Sequence, residues 1–438
     1  MVPRTCHSPS RLMHQFHYRK GILHCEGVNL QALAEEHGTP LYVYSAQTFR
    51  DNYHRLTQAL EGLDHQIAYA VKANSNLSVL GLLAELGSGF DIVSGGELFR
   101  VIKAGGDPKL CSFAGVGKTA EEISYALEHE IHCFNIESVA ELELINKVAE
   151  GIGATAPIAV RINPNVDART HEYISTGKAE NKFGIDYAAA SEVYQHAANF
   201  PHIQIKGVQM HIGSQLTSVT PFVEAVERVI PLVAELKSVH DIEFFSIGGG
   251  IGIIYHAALA SGQQDWWDQH DEPPLSPVVY ANELAPRLQS LGLKILLEPG
   301  RYISGHAGVR LTPGLDEKKG HAKTFKIVDA GMNDLIRPAL YQGHHEIIPL
   351  REDDASTRVT ADVVGPICES GDFFCQDREL ADFKANDIIA LMSAGAYSFT
   401  MASNYNSRPL PAEILIEGTQ VTVARQRQSW DDLIAPEL

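Results

Sequence analysis

From Ser45 to about Arg301, short apolar strands alternate with amphipathic helices without interruption, and few folds accommodate such a run. The strands read at 67–72, 89–93, 111–114, 131–136, 156–162, 203–210, 244–248 and 294–298. Helices fall between them, for example Ser78 to Leu86, Glu97 to Ala104, Thr119 to His129, Ser138 to Glu150 and Pro221 to Lys237. Strands joined by helical crossovers form a parallel sheet, and eight of them close a (β/α)8 TIM barrel. An open doubly wound sheet is the alternative, but it does not need eight repeats. A barrel places its chemistry at the carboxyl ends of its strands. Lys72, Asp91, Arg161 with Asn163, His211, Gly248 to Gly250 and Glu298 all stand at or near such ends.

After Arg301 the texture changes. Runs at 326–329, 346–349, 358–364, 387–392 and 413–417 are β-rich with few helical signals, which indicates a C-terminal all-β domain, a Greek-key barrel or sandwich. Short strands in 15–45, with a helix from Asn29 to His37, have no place in the barrel and are expected to join that domain. The expected division is a poorly ordered extension over 1–14, joining strands over 15–45, the barrel over 46–305 and the β domain over 306–438. At 438 residues the chain is too long for one ordinary core.

The net charge of -19 disfavours nucleic acid and anionic membrane as partners. No apolar run approaches a membrane span, and the first twenty residues hold no apolar signal core. The six cysteines form no C-x-x-C pair and fit reduced thiols in a cytoplasm. His14, His17 and the pair His344-His345 lack partners at ligand spacing, so no metal is expected.

Several short motifs carry chemistry. Lys72 closes the run Ile67-Ala-Tyr-Ala-Val-Lys72, where it is either a surface lysine or an amine in a partly dry pocket, suited to a Schiff base. Gly248-Gly-Gly250 follows a strand and can form an anion nest. It is not G-x-G-x-x-G, which disfavours a dinucleotide. Glu298-Pro-Gly-Arg301 offers a carboxylate that needs a partner and a guanidinium fork, or else an internal salt bridge. His211-Ile-Gly-Ser214 places an imidazole and a hydroxyl at the mouth. Cys368-Glu-Ser-Gly-Asp372 sets a thiol between acidic neighbours that favour its protonated form, although a buried cysteine is usually a small hydrophobe. Arg337 and Tyr397 are polar groups in apolar runs. Together a Schiff-base lysine, a phosphate nest, a carboxylate for a ring nitrogen, a stacking imidazole and an acid match what pyridoxal phosphate requires.

These motifs resemble the alanine-racemase-fold (fold-type III) pyridoxal-phosphate decarboxylases. The residues that carry the resemblance are Tyr69-Ala-Val-Lys-Ala-Asn74, Phe90-Asp-Ile-Val-Ser-Gly-Gly-Glu97, His211-Ile-Gly-Ser214, Gly248-Gly-Gly250, Glu298-Pro-Gly-Arg301 and Cys368-Glu-Ser-Gly-Asp372. Asn163-Pro-Asn-Val-Asp167 with His171 to Gly177, Lys182-Phe-Gly184 and Met332 to Ile347 narrow it to the diaminopimelate decarboxylase family. The resemblance runs from about Phe16 to the C-terminus. The stretch Ala257 to Pro274, with Trp266-Trp267, looks longer than usual.

The resemblance implies roles. Lys72 bonds the cofactor, Glu298 keeps its ring nitrogen protonated, and His211 stacks on the ring. Gly250, the amides near Gly300, Ser214 and Tyr397 hold phosphate and ring, with Asp91, Gly249 and Arg301 also touching the cofactor. Arg301, Arg337, Tyr341, Glu369 and Tyr397 meet the substrate. Cys368 returns a proton after CO2 leaves and reaches the lysine of a second subunit, which implies a homodimer. The implied reaction converts meso-2,6-diaminopimelate to L-lysine and CO2, the last step of lysine synthesis. Related decarboxylases acting on arginine, ornithine or carboxynorspermidine, a non-catalytic carrier and a racemase are the alternatives. A second arginine favours a substrate with a distal carboxylate, because ornithine would leave it without an anion.

Overall fold

The computed structural model describes residues 13–168, 170, 174, 176, 177, 182–263, 266, 275–352 and 357–438. It divides into two compact units. One runs over Leu56–Ile253 and the segment ending at Ile303, and the other holds the residues up to Arg55, the segment beginning at Ile254, and Ser304–Leu438.

The first unit is a closed barrel. Its strands are His65–Ala70, Gly89–Ile92, Cys111–Phe113, Cys133–Ile136, Ala156–Asn163, Ile203–Met210, Phe244–Ser246 and Lys294–Leu297. Each pairs in parallel with the next, and the eighth returns to the first through Ile295 opposite His65. Both faces of such a strand are covered, so most of these strands are rich in apolar residues, with polar ones such as Gln209 and Ser246 set among them. The two-residue strand Ile185–Asp186 adds to the fifth.

Helix starts follow their local signals. Thr119 accepts the Glu122 amide at 3.2 Å, while the Glu122 carboxylate accepts the Thr119 amide at 3.1 Å, a reciprocal capping box. Ser94 and Ser138 cap the helices Gly95–Lys103 and Val139–Ile152 in the same way, each through an acceptor bond from the third amide.

One expectation shifts. The first strand ends at Ala70 rather than Lys72, and Val71–Ala73 form a single 3-10 turn. The cause lies just beyond. Asn74 accepts the Asn76 amide at 3.1 Å and Asn76 accepts the Ser78 amide at 2.9 Å, so local side chains take over from the ladder and start the helix Leu77–Glu85.

The second unit centres on a mixed nine-stranded sheet. Its main path runs Phe373–Ala381, Arg358–Val364, Thr324–Val328, Gly308–Lys319, Leu41–Ser45, Ala412–Glu417 and Gln420–Arg425. Ile388–Leu391 branches from Gly308–Lys319 and carries Ile347–Pro349. Leu41–Ser45 lies antiparallel to Gly308–Lys319 and parallel to Ala412–Glu417. Residues Phe16–Asn29 form a separate three-stranded antiparallel sheet, and Phe16, Leu23 and Leu30 pack into one core with Leu41, Val309 and Ile414. Cys375 lies in a second core beside Val328 and Phe374.

The longest strand, Gly308–Lys319, is not evident from the sequence. Pro313-Gly314 and the charged run Asp316-Glu-Lys-Lys319 read as a loop, and the outer half is indeed exposed. Phe373–Ala381 and Gln420–Arg425 escape notice for a similar reason, since both bear exposed polar residues. Of the expected terminal extension, residues 1–12 lie outside the described residues. His14 is buried and donates to the Ala258 carbonyl at 2.9 Å. Residues 171–173 and 175 of one quoted motif, and 264, 265 and 267–274 of the long stretch, also lie outside the described residues. No helix among the described residues is long and apolar enough to cross a membrane.

The barrel has one irregular register, between Ile205 and Gly207 against the fifth strand. Tyr194 repairs it. Its buried hydroxyl donates to the Gly207 carbonyl at 2.7 Å and accepts the Val160 amide at 3.3 Å. A side chain at Gly207 would meet the Phe244 ring at 2.7 Å. Tyr194→Phe removes the hydroxyl and leaves two buried backbone groups unpaired. It should lower the unfolding free energy by about 2 kcal/mol, seen as a lower urea midpoint, and an unchanged midpoint would contradict this reading.

Candidate active site

The barrel mouth is built from residues just past the strand ends. Lys72 sits in the 3-10 turn after the first strand, with its side chain 39% exposed, and its Nζ donates to Asp91 Oδ2. Asp91 is buried in the second strand, and its Oδ1 has no hydrogen-bond partner. Glu97, in the following helix, accepts the Val93 amide at 2.7 Å. Burial lifts the Glu97 carboxyl to about 7, with the Lys72 charge opposing the rise.

Glu298 follows the eighth strand and is buried. Gln209 Nε2 donates to its Oε2 at 2.9 Å and Ser246 Oγ donates to its Oε1 at 2.6 Å. Burial raises its pKa to about 7, the negative Asp91 adds to the rise, and the Ser246 hydroxyl, Lys72 and Gln209 pull against it. The Glu298–Arg301 salt bridge left open by the sequence does not form. Arg301 instead donates to the Ser214 hydroxyl, at 3.0 Å from Nη2.

His211 follows the sixth strand. Its Nδ1 accepts the Gly249 amide at 3.3 Å, which leaves the ring proton on Nε2. Burial first, then the positive charges of Arg161 and Lys72, hold its pKa well below the usual imidazole range, so the ring is neutral at pH 7. The glycines beside it are required by space. A Cβ on Gly249 would fall 2.1 Å from the Glu298 carbonyl, and one on Gly250, at φ +114°, 2.5 Å from the Gly213 carbonyl. Gly300 lies in the link between Glu298 and Arg301, whose Pro299 carbonyl accepts the Ala70 amide at 3.1 Å.

The barrel thus gathers an amine, two carboxylates, a neutral imidazole, a side-chain-free loop and an arginine at one mouth. Reading the sequence singled out Arg161 but missed the partners that support these groups. Gln209 and Ser246 hold Glu298, and Arg161 forms a buried pair with Glu137 at 2.8 Å beneath the Phe183 ring. The available signal was a polar side chain inside an otherwise apolar strand.

The other expected residues belong to the second unit. Cys368 is exposed in the link after Arg358–Val364, and its amide donates to Asn406 Oδ1 at 2.8 Å. Asp372 braces the backbone around the thiol. Its buried carboxylate accepts the Ile367 amide at 2.7 Å and the Met332 amide at 2.6 Å, tying the Cys368 loop to the one that leads to Arg337. Glu369 is exposed, and its negative charge holds the nearby Tyr405 phenol above its ordinary range.

Arg337 and Tyr341 are the first and last residues of one short helix. Arg337 is buried, stacks over the Tyr255 ring at 4.3 Å and donates from Nη1 to His345 Nε2 at 2.6 Å. His345 in turn donates from Nδ1 to the Met392 carbonyl at 2.8 Å, and burial beside Arg337 keeps it neutral. His344 stacks on His256 with ring centres 3.9 Å apart. Tyr397 adopts φ +54°, a left-handed conformation that a bulky residue keeps only under constraint.

Residues 46–305 match the family described as pyridoxal-dependent decarboxylase, pyridoxal binding domain. With that match, the barrel and its mouth make the chain a pyridoxal-dependent decarboxylase of fold-type III. The chain is 47% identical over 429 residues to the diaminopimelate decarboxylase of Vibrio cholerae serotype O1, covering 97% of this chain and 99% of that one. It is 48% identical over 427 residues to that of Pseudomonas fluorescens, with the same coverage. Among solved structures it resembles the Helicobacter pylori enzyme complexed with L-lysine, at 41% identity, TM-score 0.86 and coverage of 93% and 99%. It also resembles the M. jannaschii enzyme with L-lysine, at 36% identity, TM-score 0.89 and 98% coverage of both chains. The chain belongs to the diaminopimelate decarboxylase family.

Pyridoxal phosphate is the cofactor of this class, and the mouth fits it. The glycine loop leaves room for an anion, and Asp91 Oδ1 and Gln209 Oε1 are buried acceptors without hydrogen-bond partners. The pKa of Glu298 gives a test of the site's electrostatics. A carboxyl raised from 4.5 to about 7 costs no stability below pH 4.5, where the folded and unfolded chains are both protonated. The cost grows as pH rises from 4.5 to 7 and is complete above that, reaching roughly 3 kcal/mol. Glu298→Gln should therefore stabilise the cofactor-free protein more at pH 8 than at pH 5 in urea unfolding, whereas an equal effect at both would contradict the raised pKa.

Proposed function

We propose that the chain decarboxylates meso-2,6-diaminopimelate to L-lysine and CO2 with pyridoxal phosphate, as a cytoplasmic homodimer. The observation that carries the choice of substrate is the pair of relatives matching nearly the whole chain whose structures hold L-lysine, the product of this reaction. Bound pyridoxal phosphate supplies an electron sink for the charge left when CO2 departs.

The chain's own residues do the rest. Lys72 would offer its Nζ for the covalent link, and Asp91, which accepts from that Nζ, would orient it. Glu298 presents its carboxylate to the ring nitrogen, where a cation repays the desolvation that raises its pKa. His211 is fixed as a neutral flat ring by the Gly249 amide, so it can lie against another ring without charge repulsion. The amides of the Gly249–Gly250 loop and near Gly300, with Ser214 and Arg301, suit the phosphate. Tyr397 completes the cofactor and substrate contacts.

For the substrate, Arg301 and Arg337 suit the distal carboxylate, Glu369 the distal ammonium, and Tyr341 their neighbourhood. Arg337 is preorganised for this by Tyr255 and His345, so little entropy is lost on binding. Cys368 holds a proton on Sγ for delivery to the carbon that loses CO2. In a homodimer it would serve the Lys72 of the partner subunit.

A substrate panel tests the reading. CO2 release should be fastest from meso-diaminopimelate, with ornithine lower by about 10^4-fold because it leaves the arginines unpaired. Faster turnover of ornithine or arginine would overturn the assignment. The shared site has its own test: mixing inactive Lys72→Ala and Cys368→Ala subunits should restore part of the activity. Verified mixed dimers that stay inactive would remove the composite site.

A further inference from the structure

Gln215 directly follows the His211-Ile-Gly-Ser214 run and carries its backbone at φ +62°. A long side chain sits in that left-handed region only where its surroundings hold it there. Here its own carboxamide does the holding. Nε2 donates to the Ile253 carbonyl at 2.7 Å, and Oε1 accepts the Ile253 amide at 3.2 Å. A carboxamide carries a donor and an acceptor side by side, so it can serve both backbone groups of a single residue.

The two stretches joined in this way are those assigned above to the phosphate. Between them the Leu216 amide donates to the Gly250 carbonyl at 2.9 Å, and the Gly252 amide donates to the Leu216 carbonyl at 2.8 Å. Leu216 and Ile251 thereby form a parallel bridge. The approach is close along its length. A Cβ on Gly252 would fall 2.9 Å from the Leu216 carbonyl oxygen and 3.2 Å from Gln215 Cδ. The result is a closed ring of bonds, with Ser214 to Leu216 on one side and Gly250 to Ile253 on the other. Backbone bonds close it at one place and the Gln215 carboxamide at the other. The Ser214 hydroxyl, which accepts from Arg301 Nη2 at 3.0 Å, and the Gly250 amide belong to opposite sides of this ring. Their spacing is set by how the ring is closed.

We propose that Gln215 is a positioning residue for the anion site: its carboxamide fixes the spacing of the Ser214 hydroxyl and the Gly250 amide, and so sets the preference of the mouth for a cofactor that bears a phosphate. The inference rests on the reading of these groups as the phosphate site. Several donors hold an anion tightly only when they are already in place, because ordering each of them on binding costs entropy. Lys72 and Glu298 come from the ends of the first and eighth strands and are proposed for the aldehyde and the ring nitrogen, not for the phosphate. Loss of the carboxamide therefore weakens the hold on the phosphate and spares the hold on the ring.

The test compares pyridoxal phosphate with pyridoxal, which lacks the phosphate. Each is titrated into the cofactor-free full-length chain and followed by the yellow colour of the Lys72 adduct. Gln215→Met keeps the length of the side chain and removes both bonds, while Gln215→Gly removes them and takes the positive φ without strain. Both variants should bind pyridoxal phosphate about tenfold more weakly, with pyridoxal binding held within about twofold. Inorganic phosphate alone should raise the urea midpoint of the wild type more than that of either variant. Equal losses of affinity for the two compounds would make Gln215 a brace for the whole mouth and overturn the proposal. Wild-type affinity for pyridoxal phosphate in both variants would overturn it as well. The reading beneath it fails separately: a wild type that binds pyridoxal as tightly as pyridoxal phosphate has no phosphate site at this loop.

Discussion

The buried Glu298 carboxylate is the interaction on which the barrel mouth depends, because a charge removed from water must be met by groups in fixed places. Those groups come from neighbouring strands. Gln209 lies opposite Ser246 in the pairing of the sixth and seventh strands, and Ser246 lies opposite Leu296 in the pairing of the seventh and eighth. A one-residue slip in either ladder would turn one of these side chains to the other face. The same register sends His211 and Gly248, two residues beyond Gln209 and Ser246, to the mouth. Barrel closure, the hydrogen bonds to Glu298 and the placing of the imidazole are therefore one geometric condition.

The second unit solves a related problem with aromatic and backbone partners. Arg337 is buried against Tyr255 and His345, and His345 stays neutral because burial and the Arg337 charge outweigh its bond to a backbone carbonyl. The guanidinium therefore meets a neutral imidazole and not an imidazolium. Asp372 and Asn406 brace the Cys368 loop through backbone amides, and the Cys368 thiol stays exposed. In both units the residues proposed for the chemistry are held by neighbours with no such proposed role.

Much of this was legible in the sequence, for identifiable reasons. Barrel strands are covered on both faces and read as largely apolar runs, so all eight appear at nearly their true positions. The residues at their ends stand out because lysine, histidine or glutamate after such a run has no packing reason to be there. Lys72 illustrates the limit. Its turn belongs to a 3-10 helix set by Asn74 and Asn76, and that competition between side chain and ladder is decided by tertiary contacts such as Ala70 to Pro299. Gly308–Lys319 was hidden by its charged outer half. The bracing role of Asp372, whose carboxylate accepts two backbone amides, was not legible, since a sequence does not reveal which way a side chain turns. Asn406 was invisible because its partner lies thirty-eight positions away.

In the proposed holoprotein Glu298 pairs with a protonated ring nitrogen, which would offset its desolvation. The most direct measurement is the 15N chemical shift of pyridoxal phosphate labelled at the ring nitrogen and bound to the protein at pH 8. The account predicts the shift of a protonated pyridinium in the wild type and of a neutral pyridine in Glu298→Gln. A neutral pyridine in the wild type, with cofactor bound at Lys72, would contradict it.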